Sequence, residues 1–362
     1  MGCGSFLIES ANLFTVFRWN NTPAIIRFTE ADNIYNTLLL TLFIFSDEEK
    51  TKVVEILHNK IYEAIPKIIL SDISLETKNK IEEKGKDIWE KTITQTYKEL
   101  ENTLDKNLSH KLLIKYNFDQ ETQNKIRLIN LFASRKEALI NERVFPEYYE
   151  EPRIKNEERI SKIIVKDKNI IEEMADELLK ISCRLVTMIR WNKNHRNIKS
   201  SVSSHSFLVF LIAYILALSV DLDKHEIYEI MACAILHDLP EAFTGDVISP
   251  TKRKVEGLEE IISEIEREFV QEWYKSNIIL RDITSKFEKY IFYPFQNNYG
   301  KFVRTADLLA ALIECYLEIS TGNQNTYFIE SFSRLKQEIE DISPLDVSEI
   351  IKEIEENSSI HL

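Results

Sequence analysis

Apolar residues recur every three or four positions along most of this chain, and this spacing is typical of amphipathic helices. The helices that the pattern predicts cover residues 6–21, 30–45, 47–66, 124–141, 170–191, 207–218, 224–241, 257–275, 279–290, 301–321 and 328–356. The charged region 75–113 carries a thin apolar stripe, which predicts one or two largely solvated helices. Seven glycines and eight prolines among 362 residues leave few points at which helices must end. The sequence therefore predicts an all-α protein.

Three stretches of the first half recur in the same order in the second half. The aligned pairs are 10–20 with 182–192, 65–78 with 239–252, and 126–133 with 303–310. The offset grows slowly along the chain, from 172 through 174 to 177 residues. Because chance rarely preserves both order and offset, we interpret the chain as two tandem copies of one helical fold.

A change in composition suggests where one copy ends. Residues 145–158, FPEYYEEPRIKNEE, are rich in charge, tyrosine and proline, and they predict a linker. We therefore predict an N-terminal helical domain at residues 1–150 and a second helical domain at 160–362.

The stretch ILHDLPEAFTGDVISPTK at residues 235–252 concentrates groups that can do chemistry. His237 and Asp238 come near the end of an apolar helical run, and Glu241 shares their helix face because residues three and four apart are neighbours. A Thr-Gly pair then ends the helix and places Asp246 in the following loop. This region looks built for chemistry rather than for packing.

His205 and Asp307, on two other predicted helices, complete a possible metal-binding set with His237 and Asp238. Two imidazoles and two carboxylates suit a divalent transition metal ion, namely Mn²⁺, Fe²⁺, Co²⁺, Ni²⁺ or Zn²⁺. Mg²⁺ is less favoured because two of the donors are imidazoles. A purely structural role for the four side chains is the alternative.

The first copy lacks these groups, although it keeps the surrounding framework. In our alignment, Ala31, Glu63, Ala64, Lys67 and Asn130 stand in place of His205, His237, Asp238, Glu241 and Asp307. Since a metal needs imidazole or carboxylate donors, we predict that the first copy binds no metal ion. The joint loss indicates that these positions of the second copy act as a set.

The second copy resembles the HD-domain metal-dependent phosphohydrolases, and it looks most like their bacterial 5′-deoxynucleotidase branch. The resemblance covers about residues 175–325 and rests on Arg190-Trp191, Val202 to Ser206, His237-Asp238, Pro240-Glu241, Thr244-Gly245-Asp246, Pro250-Thr251-Lys252 and Ala306 to Leu309. The Thr-Gly-Asp run with the later Pro-Thr-Lys is more specific than the His-Asp pair. One departure is Ser204, where that branch usually has an acidic residue.

The resemblance implies a role for each of these residues. It implies metal ligands at His205, His237, Asp238 and Asp307, acid–base groups at Glu241 and Asp246, a phosphate-binding Arg190 and a pocket-lining Trp191. Structural roles stay open for Arg190, Trp191 and Asp246, because the first copy has their counterparts in Arg18, Trp19 and Asp72.

The implied activity is hydrolysis of a 5′-(deoxy)nucleoside monophosphate to a nucleoside and phosphate. A triphosphohydrolase or phosphodiesterase using the same site is one alternative, and a non-catalytic, metal-stabilised scaffold is another. Proteins of this branch commonly act as homodimers. We therefore predict that the first copy supplies the partner surface within one chain, as an intramolecular pseudo-dimer, and further homo-oligomers stay open.

Charge and cysteine content narrow the choice of partners and compartment. The 46 basic and 59 acidic residues give a net charge of −13, which opposes binding to nucleic-acid polymers or to membrane surfaces. The four cysteines show no C-x-x-C spacing, and residues 1–15 do not resemble a signal peptide. We expect a cytoplasmic protein whose partner is a small-molecule nucleotide.

Overall fold

The computed structural model describes residues 2–70, 73, 75–220, 222–247, 254–296 and 299–357. Its helices are α1 (Cys3–Ala11), α2 (Glu30–Ile44), α3 (Lys50–Leu70), α4 (Leu75–Thr103), α5 (Lys106–Leu112), α6 (Gln120–Glu142), α7 (Pro146–Lys162), α8 (Lys168–Thr187), α9 (Val202–Ser219), α10 (Lys224–Leu236), α11 (Glu241–Thr244), α12 (Leu258–Ser276), α13 (Ile278–Ser285), α14 (Glu288–Phe292), α15 (Gly300–Ser320), α16 (Thr326–Ile342) and α17 (Ser348–Asn357). Extended pairing in these residues is limited to two isolated bridges. The prediction of an all-α fold is confirmed.

The predicted linker at residues 145–158 is wrong, because this segment lies within α7, which packs on α6. Pro146 stands at the start of the helix, where its missing N–H costs no hydrogen bond. Tyr149 is fully buried, and its ring centroid lies 5.4 Å from that of Trp19. The charge that suggested a linker is the solvated face of an amphipathic helix, so the predicted boundary between the halves falls inside a helix.

Three predicted helices end too late along the chain. The helix predicted at 6–21 stops at Ala11 and is followed by a short 3₁₀ turn at Asn12–Phe14. The helix predicted at 170–191 stops at Thr187, and the one predicted at 224–241 stops at Leu236. In each case the apolar spacing continues beyond the helix, because the next residues also point into the core.

The helix α9 forms the centre of the core. It packs against α2, α8, α10 and α15, and its residues from Val202 to Leu218 are buried. By length and composition it is apolar enough to cross a membrane, but 89% of that stretch lies inside the protein. Its lack of an amphipathic stripe therefore reflects burial on all sides.

The loops that precede α2 and α9 share the same hydrogen bonds, 172 residues apart. The residue pairs with matching roles are Phe17 and Ile189, Arg18 and Arg190, Trp19 and Trp191, and Thr29 and Ser201. Phe17 forms an antiparallel bridge to Thr29, as Ile189 does to Ser201. The amide of Arg18 donates to the carbonyl of the residue just before Thr29, and the amide of Arg190 donates in the same way just before Ser201. Both tryptophans have left-handed backbones, with φ of 54° and 57°, which is rare for a bulky residue.

The helix caps fix the register between α2 and α9 more closely than the sequence alignment does. Thr29 and Ser201 are the N-cap residues, and each forms a capping box with the residue three positions later. With these caps in register, the counterpart of His205 is Asn33. Our alignment of His205 with Ala31 is therefore wrong by two residues, because the offset in this region is still 172. Asn33 is no better than Ala31 at replacing an imidazole in a metal site.

The two halves of the chain pack through corresponding helices. The helix α2 packs on α9, and α3 packs on α10. In addition, α2 contacts α8, and α1 contacts α9. The chain ends also meet, since α1 packs on α17. A Cβ atom on Gly4 would lie 2.6 Å from the carbonyl oxygen of Ile350, so this close approach requires glycine.

A buried carboxylate ties α6 to the loop before α2. Glu137 is fully buried and accepts hydrogen bonds from Arg18 Nε at 2.8 Å and from Trp19 Nε1 at 2.9 Å. The Nη1 atom of Arg18 also contacts Glu30 Oε1 at 2.6 Å. The left-handed tryptophan is thus held by a side-chain network as well as by the bridge.

We expect Glu137→Ala to lower the free energy of unfolding by about 3–5 kcal/mol, because it removes one partner of a buried ion pair. Urea unfolding followed by circular dichroism measures this loss. Glu151→Ala is the control, since Glu151 is 77% exposed and pairs with the exposed Lys155. We expect that control to cost below about 0.5 kcal/mol. Equal losses in the two variants would contradict the role of the buried network.

Candidate metal centre

Four side chains from three parts of the helical core converge at one end of α9. His205 lies in the first turn of α9, His237 and Asp238 directly follow α10, and Asp307 lies in α15. The Nε2 atom of His205 is 3.2 Å from Asp307 Oδ1, and His237 Nε2 is 3.2 Å from Asp238 Oδ2. Potential ligand atoms of His205, His237 and Asp238 all lie within 4.8 Å of one another. The structure brings together the four residues that the sequence suggests as metal ligands.

The donor atoms of this cluster fit a cation. The Nδ1 atom of His237 lies 2.9 Å from the carbonyl oxygen of Ala234, so it carries the proton and leaves a lone pair on Nε2. That lone pair faces Asp238 Oδ2, and both atoms are buried without a hydrogen-bond partner among the described residues. Two buried lone pairs repel each other unless a cation or a proton lies between them.

The electrostatics keep these carboxyl groups ionised. Burial would raise the pKa of Asp238, but His237 and His205 lower it to about 2. Burial acts against Asp307 too, yet His205 and Arg304 hold its pKa well below the usual value. For His237, burial would lower the pKa, but Asp238 and Asp307 raise it. A divalent ion binds ionised carboxylates and neutral imidazoles, so it would displace the proton that the raised pKa of His237 favours.

Glu314 is a central residue that our sequence reasoning missed. It is fully buried, and its Oε2 accepts from Trp191 Nε1 at 2.8 Å and from Arg190 Nε at 3.3 Å. Its Oε1 accepts from the hydroxyl of Ser200, and its Oε2 lies 3.7 Å from His205 Nδ1. Burial would raise its pKa, but Arg190 and His205 lower it to about 2. Glu314 therefore links the residues around the donor cluster.

A sequence signal for Glu314 was present. It follows Asp307 by seven residues, which is two helical turns, so both side chains lie on the same face of α15. At the offset of 177 it also aligns with Glu137, which binds Arg18 and Trp19 in the first half. The acidic residue is thus common to both halves, which is why a search for differences between them overlooked it.

Arg190 lies beside the donors with part of its guanidinium still available. Its side chain is 14% exposed, and its Nη1 atom lies 3.7 Å from Asp238 Oδ2. Burial would lower its pKa, but Glu314, Asp246, Asp238 and Glu241 together raise it, so it stays charged. Nε is fixed by Glu314, and the outer nitrogens face the acidic end of the site.

The two predicted acid–base residues lie next to this arginine. Glu241 is the first residue of the short helix α11, and Gly245 ends that helix with φ of 83°, a backbone that favours glycine. This turn directs the chain to Asp246, whose pKa is raised by burial and by the neighbouring acidic groups Asp238 and Glu314. The predicted Pro-Thr-Lys element at 250–252 lies outside the described residues.

A cleft of about 460 Å³ is lined in part by Asp246, the predicted acid–base residue near Arg190. Met188, Ile189 and Asn192 line one side, and Thr244 and Asp246 line another. None of the four donor residues lines the cleft itself. A volume of this size suits a small molecule of nucleotide dimensions.

In the corresponding region of the N-terminal half, basic side chains form ion pairs and a hydrogen bond. Lys67, the counterpart of Glu241, lies 2.6 Å from Glu30, which also binds Arg18. The Nζ atom of Lys60 donates to Asn130 Oδ1 at 2.6 Å, and burial lowers the pKa of Lys60 to about 8. Among the described residues, the cluster of three metal-donor side chains is found in the C-terminal half alone.

Comparison with known proteins identifies the family. The model of the YfbR-like 5′-deoxynucleotidases matches residues 177–357, which is half of the chain and contains all four donors. The chain belongs to the YfbR-like 5′-deoxynucleotidase family. It is therefore a nucleotide phosphohydrolase, and the predicted resemblance is confirmed for the C-terminal half.

Individual relatives of this YfbR-like chain are distant. A 5′-deoxynucleotidase from Pasteurella multocida is 27% identical over 149 residues, which cover 39% of this chain and 73% of the relative. An HD-domain phosphohydrolase from Listeria innocua has a TM-score of 0.42 at 23% identity, covering 51% of this chain and 88% of its own. A protein from Pyrococcus horikoshii has a TM-score of 0.35 at 21% identity, covering 51% and 96% respectively.

We expect His237→Ala to abolish tight binding of a divalent ion, because it removes a donor whose tautomer is already fixed by Ala234. Metal content after dialysis, measured by plasma emission spectrometry, tests this. The matched control is His225→Ala, since His225 is exposed on the first turn of α10. Equal metal content in the two variants would show that the cluster is not the metal site.

Proposed function

We propose that the C-terminal half hydrolyses 5′-deoxynucleoside monophosphates to nucleoside and phosphate. The observation that carries the proposal is the convergence of two imidazoles and two ionised carboxylates, together with a cleft of nucleotide size. Membership of the YfbR-like family supports the substrate class. The charged phosphate is the part of such a substrate that the site is suited to bind.

One divalent ion, held by His205, His237, Asp238 and Asp307, would complete this site. The mixed nitrogen and oxygen donors favour Mn²⁺, Fe²⁺, Co²⁺, Ni²⁺ or Zn²⁺. When bound, such an ion would neutralise phosphate charge and lower the pKa of a water molecule. Arg304 supports this set, because its Nη1 atom donates to Asp307 Oδ2 at 2.9 Å and orients that carboxylate.

Arg190 would bind the phosphate of the substrate. Glu314 fixes the Nε edge of its guanidinium, and the outer nitrogens then face the donor cluster. A planar guanidinium can donate two parallel hydrogen bonds to phosphate oxygens, which a lysine cannot do. Trp191, predicted to line the pocket, is not among the residues that line the cleft. Its indole N–H bonds to Glu314 and its ring packs against Tyr327 and Phe328, so we assign it a structural role.

Glu241 and Asp246 would move the protons of the reaction. We assign Glu241 as the base, whose carboxylate oxygen accepts a proton from the attacking water. Asp246 suits the acid that protonates the leaving 5′ oxygen of the nucleoside, because burial and the nearby Asp238 and Glu314 raise its pKa. Arg190 lies close to both carboxyl groups, so it would also align the phosphate between them.

We further propose that the N-terminal half is a degenerate copy of the same bundle, and that the two halves form an intramolecular pseudo-dimer. The shared loop hydrogen bonds, the matching left-handed tryptophans and the packing of α2 on α9 and α3 on α10 support this. Residues 1–150 and 160–362 approximate the two units, with α7 completing the first.

Chromatography of the products formed from a panel of mono-, tri- and cyclic nucleotides tests the activity, because a phosphodiesterase or a triphosphohydrolase would not release orthophosphate. With Mn²⁺ or Co²⁺ present, we expect turnover of 5′-deoxynucleoside monophosphates. Glu241→Gln should keep the metal and lose roughly 10²- to 10⁴-fold in kcat, the usual contribution of a general base. Glu268→Gln, at an exposed position of α12, is the matched control and should retain full activity.

Other outcomes of the same panel would redirect the assignment. Preferential hydrolysis of triphosphates or cyclic nucleotides would contradict the monophosphate substrate while leaving the site intact. No turnover of any nucleotide, combined with early melting of His237→Ala, would indicate a metal-stabilised scaffold instead.

A further inference from the structure

One helix of the N-terminal half contacts the segments that carry the candidate metal centre of the C-terminal half. The helix α2 packs against α8, α9 and α10. The helix α9 carries His205, and α10 leads directly into His237 and Asp238. The helix α8 leads into the loop that carries Arg190. Each contact includes a buried polar side chain from α2, so these contacts can fix orientation as well as fill space.

Asp32 of α2 holds the first turn of α9. It is 2% exposed, and its Oδ1 accepts hydrogen bonds from the hydroxyls of Ser201 and Ser203, each at 2.5 Å. Its Oδ2 accepts from the amide and the hydroxyl of Thr29, both at 2.8 Å. Ser201 is the N-cap of α9, and Ser203 comes two residues before His205. A single carboxylate from the first half therefore fixes the helix start that presents a metal donor in the second.

Tyr35 of α2 completes the C-terminal end of α10. The last four carbonyl groups of a helix lack partners within the helix and need other donors. In α10 the amide of His237 donates to the carbonyl of Cys233, and its Nδ1 donates to the carbonyl of Ala234. Tyr35 Oη donates to the carbonyl of Ile235, and the amide of Leu239 donates to that of Leu236. Tyr35 is fully buried and its hydrogen bond measures 3.1 Å. It supplies the one donor of the four that comes from the other half.

A third contact reaches α8. The side-chain oxygen of Asn36 accepts a hydrogen bond from the hydroxyl of Ser182, and both residues are buried. Asp32, Tyr35 and Asn36 thus lie within about one turn and a half of α2 and bond to three different segments of the C-terminal half.

We propose that Asp32 and Tyr35 are positioning residues for the metal centre, so that the N-terminal half is a working part of the enzyme. The proposal rests on the proposed function, because it requires a metal ion at His205, His237, Asp238 and Asp307. The two residues act through hydrogen bonds to the segments that carry the ligands and touch neither metal nor substrate. Loss of a hydrogen bond made to the ligand itself typically weakens metal binding about 10- to 100-fold, and we expect the lower end for these bonds one step further out.

Tyr35→Phe is the sharpest test, since it removes a single hydroxyl and leaves the ring in the core. We expect Co²⁺ to bind about 10-fold more weakly, measured by competition with a chelator. We also expect a changed visible absorption spectrum of the Co²⁺ protein at saturation, because the ligand geometry relaxes. Destabilisation alone would lower the melting temperature of the metal-free protein and leave that spectrum unchanged.

The matched control is Tyr214→Phe. Tyr214 is also a buried tyrosine that joins the halves, and its hydroxyl bonds to His58 Nδ1 at 2.5 Å. It lies on α9, nine residues beyond His205, so its loss should leave Co²⁺ affinity and spectrum unchanged. Asp32→Asn is the second test variant. The two oxygens of Asp32 accept four hydrogen bonds, whereas an asparagine has one acceptor oxygen, so some of these donors lose their partner.

The outcomes separate this proposal from the proposed function. Wild-type Co²⁺ affinity and spectrum in both Tyr35→Phe and Asp32→Asn would overturn the positioning role and leave the metal centre standing. Equal changes in Tyr35→Phe and Tyr214→Phe would also overturn it, since any contact between the halves would then matter equally. A wild-type protein that binds no Co²⁺ would overturn both ideas.

Discussion

Ionised carboxylates held in a buried site are the constraint on which this structure depends. Asp238, Asp307 and Glu314 all have pKa values lowered by neighbouring cations and imidazoles, so they carry negative charge inside the core. Arg190 and Arg304 offset part of that charge. The donor atoms of the histidines and aspartates face one another. This arrangement lowers the stability of the folded state unless a cation lies among them. The proposed divalent ion therefore completes the fold of this region as well as its chemistry.

The N-terminal half meets the same constraint without metal donors. Its buried Glu137 and Glu30 are offset by Arg18 and Lys67, so the charges balance within the protein. The arginine, the left-handed tryptophan and the acidic residue behind them occur in both halves. These three groups therefore form a framework that does not depend on a metal ion. In the C-terminal half, the same framework leaves the outer nitrogens of Arg190 directed at the site.

The sequence predicted the helical class, the family and the convergence of the four candidate donors, because each leaves a local or periodic pattern. It failed where an apolar pattern continues past a helix end, as after α8 and α10, and where a charged helix resembles a linker, as in α7. It also missed Glu314, Asp32 and Tyr35. The roles of Asp32 and Tyr35 come from hydrogen bonds between helices distant in sequence, and no local pattern encodes such contacts. Glu314 did leave a pattern, but it was overlooked because both halves share the acidic residue. The two-residue error at Asn33 shows that helix caps fix register better than short identities do.

The proposed fusion of two copies in one chain would permit a one-way division of work between them. In a symmetric dimer, every residue that supports the partner's site must also be compatible with the site on its own subunit. In this chain the corresponding helices differ: the positions of Asp32 and Tyr35 in α2 are occupied by Ser204 and Phe207 in α9. Phe207 has no hydroxyl to donate, and Ser204 has no carboxylate to accept four hydrogen bonds. Support of the kind proposed for α2 can therefore run only from the N-terminal half to the C-terminal half, which explains how the first half can lack metal donors and still serve the second.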